Sequence, residues 1–470
     1  MINKKHDEQI KDWLSKNREW IIDEWINLAK IPSIIAEPVP GAPFGEHCKE
    51  ALIAACELFS KKGFDAKIYS DKYALARYEK GEKTVGFFSH SDVVPVGDDW
   101  IFTKPFEPIV KDNALIGRGV NDNKSGIMAS LCVMMMARDL ELPVNSTLQT
   151  FIGSNEECGM EDIRAFCEEQ PMPEISFVPD AEFPCSLGEK GIYHYWAISE
   201  NKLCDIKELS GGEAFNVILD KVTAKISYTD ELYQELLEKT KDSKEFTLSS
   251  DNDNIILLAK GIAKHASAPD GSKNALYLIS KLLFECKYLN RSDKDIMKIV
   301  KQLTKSGFGE GIGLLHEDKY FGKLTMANGM VKTENGHLKL SFDTRYGLIS
   351  GKEVEEKTIN ELKKLGFSVL AVQNSPGFNI HEDGAAPKMF EAVYNEITGK
   401  DEKLIYMCGG TYARHLKNAF SVGTEEGRTS SITMPEGHGG AHQCDEMIDL
   451  DAFFEAVRII THFLLKYEEI

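Results

Sequence analysis

The sequence predicts an α/β protein: a domain built on a mixed, mostly parallel sheet, interrupted by an inserted α+β domain. Three observations carry this expectation. Between about residues 50 and 190, short apolar runs of strand length alternate with runs of helix length, the pattern of a doubly wound, largely parallel sheet. After Gly191 the pattern changes to strands with one polar face, such as Leu338-Lys-Leu-Ser-Phe-Asp343, and charged helices such as Tyr233 to Lys241. The final stretch closes with an amphipathic helix, Ala452 to Leu465, which is expected to return to the first domain. A chain of 470 residues is too long for a single hydrophobic core. The expected division is therefore residues 1–191 and 381–470 as one domain, with residues 192–380 inserted as the second.

The elements follow in order. Trp13, Trp20, Ile21, Trp25, Ile26 and Leu28 fit an amphipathic N-terminal helix. Leu52 to Phe59 reads as a helix, and Thr84-Val-Gly-Phe-Phe-Ser89 as a buried strand. Ile127 to Leu140 is a second apolar helix and Thr147 to Gly153 a second strand. A helix near Asp162 to Glu169 and a strand at Ile175 to Val178 complete the alternation.

Bulk properties narrow the function. The net charge of −19, from 55 basic and 74 acidic residues, repels nucleic acid and anionic lipid, so neither is expected as a partner. The N-terminus carries charges throughout and has no unbroken apolar stretch, so it reads as neither signal peptide nor membrane anchor, and the protein is expected in the cytoplasm. The ten cysteines include no Cys-x-x-Cys pair. That argues against a thiolate zinc site and a disulfide framework, and for reduced, mostly buried thiols.

Chemistry-bearing residues follow successive strands. His90 and Asp92 follow FFS, Glu156 and Glu157 follow TLQTFIGSN, and Asp180 follows ISFVP. Asp122 lies in the loop GRGVNDNKSG just before a helix. In open α/β sheets, functional residues gather beyond the carboxyl ends of strands. One imidazole and several carboxylates at one sheet edge suit zinc, manganese or cobalt. Each group also has an ordinary reading: a polar strand end for His90, a solvated turn for Glu156-Glu157, a helix cap for Asp122. Their recurrence at strand after strand favours the metal reading. Adjacent glutamates point in different directions, so one can bind metal while the other faces the attacking water as a base. Asp92, two residues from His90, is placed to accept its second ring N–H.

These residues lie within a longer series of motifs: His90 to Pro95 as His-x-Asp-Val-Val-Pro, Trp100, Pro105-Phe-Glu-Pro108, Gly117-Arg-Gly-Val-Asn-Asp-Asn-Lys124, Asn155-Glu-Glu157, Phe177-Val-Pro-Asp180 and Gly440-Ala-His-Gln-Cys-Asp-Glu446. In this order they resemble the dinuclear metallopeptidase family of aminoacylase and carnosinase. Chain length and Gly409-Gly-Thr-Tyr-Ala-Arg414 point to its PepV-type dipeptidases. The resemblance implies that His90, Asp122 and Asp180 bind one metal ion and that Asp122, Glu157 and His442 bind the other. It also implies a cis peptide between Asp122 and Asn123. Glu156 becomes the general base and Asp92 the partner of His90. His438 lies four residues before His442, and only the Ala-His-Gln-x-Asp-Glu context selects His442.

By the same resemblance the inserted domain is a lid. His265, within Lys264-His-Ala-Ser-Ala-Pro-Asp-Gly-Ser-Lys-Asn274, would reach the active site and stabilise the oxyanion, with a lid histidine of no catalytic part as the alternative. Asn216 and Arg345 would bind substrate, Arg345 by pairing with a carboxylate, and Arg414 with the Gly409-Gly410 backbone would contact it too, unless that loop is simply a tight turn. The implied function is hydrolysis of small peptides, dipeptides of Xaa-His or β-alanyl type among them, by a monomer holding two divalent ions, zinc first, with manganese and cobalt accepting the same ligands. Removal of an acyl group from an amino acid, and a binding protein without catalysis, are the alternatives.

Overall fold

The computed structural model describes residues 2–251, 253–379 and 384–469. The chain forms two compact units: Met1–Gly188 with Ile380–Met407 and Thr411–Ile470, and Glu189–Asn379 with Cys408–Gly410. Residues 189–191 thus group with the second unit, where the strand Gly191–Lys202 begins, and 408–410 join them. The expected boundary between 380 and 381 lies outside the described residues.

The first unit is built on a mixed sheet in the order Asp65–Tyr69, Tyr73–Tyr78, Thr147–Gly153, Thr84–His90, Ile175–Ala181, Ala419–Gly423, Ser186–Glu189. The four strands from Thr147–Gly153 to Ala419–Gly423 run parallel. They are buried nearly throughout, which is why they read as apolar runs rather than alternating ones. A hairpin of Asp65–Tyr69 and Tyr73–Tyr78 adds the antiparallel edge. Its turn escapes sequence reading because Ser70 and Asp71 take the left-handed conformation (φ 50° and 57°) without the glycine or asparagine that usually marks such turns.

Register sets the site. His90 pairs with Gly153, and Phe87 with Phe177, so His90 and Asp180 each stand three residues beyond one matched pair. The parallel strands therefore end level, and the residues that follow them emerge together. The helix Lys124–Asp139 is buried along almost its whole length beneath this sheet, and its N-terminus lies beside the strand ends. Helix Leu450–Tyr467 packs Phe463 4.9 Å from Phe177, ring centre to ring centre. Trp25 of the N-terminal helix Lys4–Ala29 meets Phe453 at 4.5 Å.

The second unit carries two four-stranded antiparallel sheets. One orders Thr325–Glu334, His337–Tyr346, Gly191–Lys202 and Phe367–Ser375; the other orders Ile206–Ser210, Lys221–Ser227, Asn254–Lys260 and Phe246–Ser250. Burial alternates along Lys221–Ser227 and Asn254–Lys260, and apolar faces of Ala275–Phe284 and Arg291–Thr304 fill the core beside them.

Candidate active site

The carboxyl ends of three parallel strands and two loops bring His90, Asp122, Glu156, Glu157, Asp180 and His442 to one place in the first unit. Asp122 lies at its centre. Its Oδ1 is 3.1 Å from His90 Nε2, and its Oδ2 is 3.0 Å from His442 Nε2. Asp180 Oδ2 stands 3.7 Å from His90 Nε2, and Glu157 Oε2 3.2 Å from His442 Nε2. Two triplets, His90–Asp122–Asp180 and Asp122–Glu157–His442, each have ligand atoms within 4.8 Å of one another and share Asp122. The helix that follows is preceded by Asn123, and no side chain caps it, so Asp122 is not spent as a cap. The Asp122–Asn123 peptide is cis.

These groups fit a divalent cation pair. Four carboxylates face two imidazoles, His90 buried and His442 half-exposed, an excess of negative charge that needs cations. Among the described residues, His90 Nε2, Glu156 Oε1 and Glu157 Oε1 are buried without a hydrogen-bond partner. Thus His90 Nε2 and Asp122 Oδ1 are close but not aligned as donor and acceptor, as expected of atoms that converge on a common ion. The nitrogen and oxygen donor set suits zinc, manganese or cobalt.

The electrostatics of these side chains follow from the same geometry. Burial, reinforced by Asp180, Glu157 and Asp122, holds the Glu156 carboxyl well above the usual range against the pull of His90. Burial and Asp122 raise Glu157 to about 7. Burial disfavours the charged form of His442, but its contacts with Asp122 and Glu157 prevail and push it up to about 11. A metal ion can bind His442 only after this proton leaves. Loading metal at pH 7 is therefore expected to release protons, and apparent metal affinity to weaken as pH falls. Titration calorimetry in two buffers of different ionisation enthalpy checks this; a heat independent of buffer contradicts it.

The supporting groups were less visible in the sequence. Asp92 holds His90, but through its main-chain oxygen, 3.0 Å from Nδ1; the carboxylate lies farther away, at 3.5 Å. That carboxylate accepts instead from the backbone N–H groups of Glu156 and Glu157, at 3.2 and 3.1 Å. Asn123 accepts from the His90 N–H and donates to Pro179 O and Asp180 Oδ1, tying His90 to Asp180. Glu446 Oε1 accepts from the N–H groups of Asn121 and Asp122, while its Oε2 takes Arg118 at 2.7 Å. His438 Nδ1 is 2.7 Å from Asp445, whose carboxylate also accepts from Ile101 and Phe102 N–H. The two histidines of the glycine-rich loop thus part ways: His438 braces the loop, and His442 faces Asp122.

The sequence profile of peptidase family M20/M25/M40 matches residues 86–466. The chain belongs to this family. It is accordingly a hydrolase, a metallopeptidase. This M20 chain is 26% identical over 451 residues to YtjP of Bacillus subtilis strain 168, provisionally named a dipeptidase, covering 93% of this chain and 94% of that one. Among solved structures it resembles human carnosine dipeptidase 1, with a TM-score of 0.61 at 14% identity, and the dipeptidase Dug1p of Saccharomyces cerevisiae, with 0.63 at 12% identity. In both cases the match covers 99% of each chain. No helix among the described residues is long and apolar enough to cross a membrane.

Of the remaining sequence candidates of the M20 chain, His265, Asn216 and Arg345 belong to the second unit and Arg414 to the first. His265 is exposed in the second unit, with its Nδ1 2.6 Å from Ser267 Oγ and 3.2 Å from the Ser267 N–H. Asn216 is its neighbour: the Asn216 carbonyl accepts from Ala266 N–H, and Val217 bridges to His265. Arg345 is buried and already engaged. Its Nε and Nη2 donate to the two oxygens of Asp343 at 2.7 and 2.8 Å, and its Nη1 donates to Cys408 O. Arg414 sits half-buried in the short 3₁₀ helix Tyr412–His415 of the first unit.

Proposed function

We propose that this enzyme hydrolyses dipeptides, with two divalent metal ions held on Asp122 and with Glu156 as the general base. The observation that carries the reading is the pair of candidate ligand triplets sharing Asp122, with Glu156 beside them, its Oε1 buried and without a partner among the described residues. His90, Asp122 and Asp180 would hold one ion, and Asp122, Glu157 and His442 the other, zinc by preference. Bound there, the ions supply Lewis acidity to the peptide carbonyl and acidify the attacking water.

The chain's own residues do the rest. Glu156 takes a proton as water oxygen bonds to the carbonyl carbon, and passes it to the amine as the C–N bond breaks, leaving two amino acids. A carboxyl raised by burial suits this work near neutral pH, and nearby cations draw it back toward the ionised form that accepts the proton. His265 donates its Nε2–H to the oxygen that becomes negative. Arg345 has N–H groups beyond those taken by Asp343 and Cys408, and these pair with the substrate's C-terminal carboxylate; Asn216 and Arg414 complete the contacts. A cytoplasmic location fits the reading, since all ten cysteines are free thiols.

The dipeptidase names of the relatives favour dipeptides over N-acyl amino acids. A panel of dipeptides, including Xaa-His and β-alanyl compounds, assayed on stripped protein reloaded with zinc, manganese or cobalt, tests this. Turnover is expected on dipeptides; turnover confined to N-acyl amino acids overturns the substrate assignment.

A further inference from the structure

The motif Gly409-Gly-Thr-Tyr-Ala-Arg414 contains a residue with no part in the reaction so far. Tyr412 is fully buried in the first unit, and its hydroxyl donates to Asp162 Oδ2. The same oxygen accepts from the backbone N–H groups of Ser154 and Asn155, at 2.7 and 2.9 Å. The next two N–H groups, of Glu156 and Glu157, go to Asp92. Two buried carboxylates thus take four successive amides of the loop that bears the base and a metal ligand. A carboxylate with three donors on one oxygen is held far more rigidly than one free to rotate. Burial and the surrounding acids, Asp162 first, push the Tyr412 hydroxyl well above its ordinary range, so it remains a donor.

The fit around Tyr412 is close on every side. Its ring meets His90 edge-on at 6.3 Å and Phe151 edge-on at 5.3 Å between ring centres. A Cβ on Gly153, the last residue of the strand before the loop, would overlap both the Tyr412 hydroxyl and the Asp162 carboxylate. Gly153 therefore clears the space in which these two meet, directly under the loop.

We propose that Tyr412 is a positioning residue: acting through Asp162, it fixes the backbone of residues 154–157 and so aims the Glu156 carboxylate. This rests on Glu156 being the base. The hydroxyl touches no reacting atom, and its effect passes along the path Tyr412 Oη, Asp162, Ser154 and Asn155 N–H, and the Glu156 backbone.

The test uses the full-length, metal-loaded protein with Tyr412→Phe, Asp162→Asn and the double variant. The phenyl ring retains the edge contacts with His90 and Phe151, and Asp162→Asn provides a second, independent break. Tyr412→Phe is expected to lower kcat by roughly 10–100-fold with KM and the content of two metal ions unchanged. The double variant should be no slower than Asp162→Asn alone, because both changes cut one path. Hydrogen exchange, which needs no turnover, should be faster at amides 154–157 in Tyr412→Phe and unchanged in Thr84–His90 and Ile175–Ala181. Additive losses in the double variant, or a kcat within about twofold of the parent with unaltered exchange at 154–157, overturn the proposal. If the parent turns over neither dipeptides nor N-acyl amino acids, the assignment of Glu156 as base fails, and hydrogen exchange alone then decides whether Tyr412 holds the loop.

Discussion

Replacing Glu156 by Gln is expected to lower kcat by about 10³-fold, roughly 4 kcal/mol of barrier, while both metal ions stay bound. The side chain is buried and its Oε1 has no partner, so an amide of the same shape costs little in packing. Glu156 belongs to neither triplet, so its loss removes no ligand atom. What disappears is the only chemistry the position offers, a carboxylate that can take a proton and give it back. The variant should also bind metal somewhat less eagerly, because one acidic neighbour is gone. The decisive comparison is kcat beside metal content by elemental analysis. Turnover within a few-fold of the parent at full metal content would remove Glu156 from the role of base. Loss of activity with loss of metal would make it a ligand.

The second large effect concerns Asp122. Asp122→Ala should abolish binding of both ions, whereas His442→Ala should abolish only one. The two oxygens of Asp122 face different histidines, at 3.1 and 3.0 Å, so one substitution takes an atom from each triplet. Each triplet then has two protein donors left, too few to hold a divalent ion firmly. His442 serves one triplet alone, and its side chain is 46% exposed, so its removal leaves His90, Asp122 and Asp180 intact. Metal stoichiometry on the two variants gives the answer directly. Retention of one ion by Asp122→Ala would show that the two triplets do not depend on a common ligand.

Much of this site could be read from the chain. The strands that carry it are buried on both faces, so they appear as apolar runs with visible ends, and His90, Glu156, Glu157 and Asp180 stand within a few residues of such ends, whereas Asp122 and His442 come from loops. The fold class was legible for the same reason, since helix and strand periodicity are local properties. The antiparallel hairpin was not, because its turn uses Ser70 and Asp71 at positive φ in place of the usual glycine.

What the sequence by itself determined is the inventory: an α/β chassis, an interruption of different character, and His, Asp and Glu at strand ends. Tertiary structure alone decided which partner each group meets. It separates His438, bound to Asp445, from His442, facing Asp122. It turns the Asp92 carboxylate to the Glu156 and Glu157 amides and leaves its main-chain oxygen to His90. It pairs Arg345 with Asp343, and it brings Tyr412 to Asp162 across 250 residues of chain. The physical reason is range: spacing and periodicity report on a few neighbouring residues, whereas a hydrogen bond is settled by whatever the packed chain carries to within 3 Å.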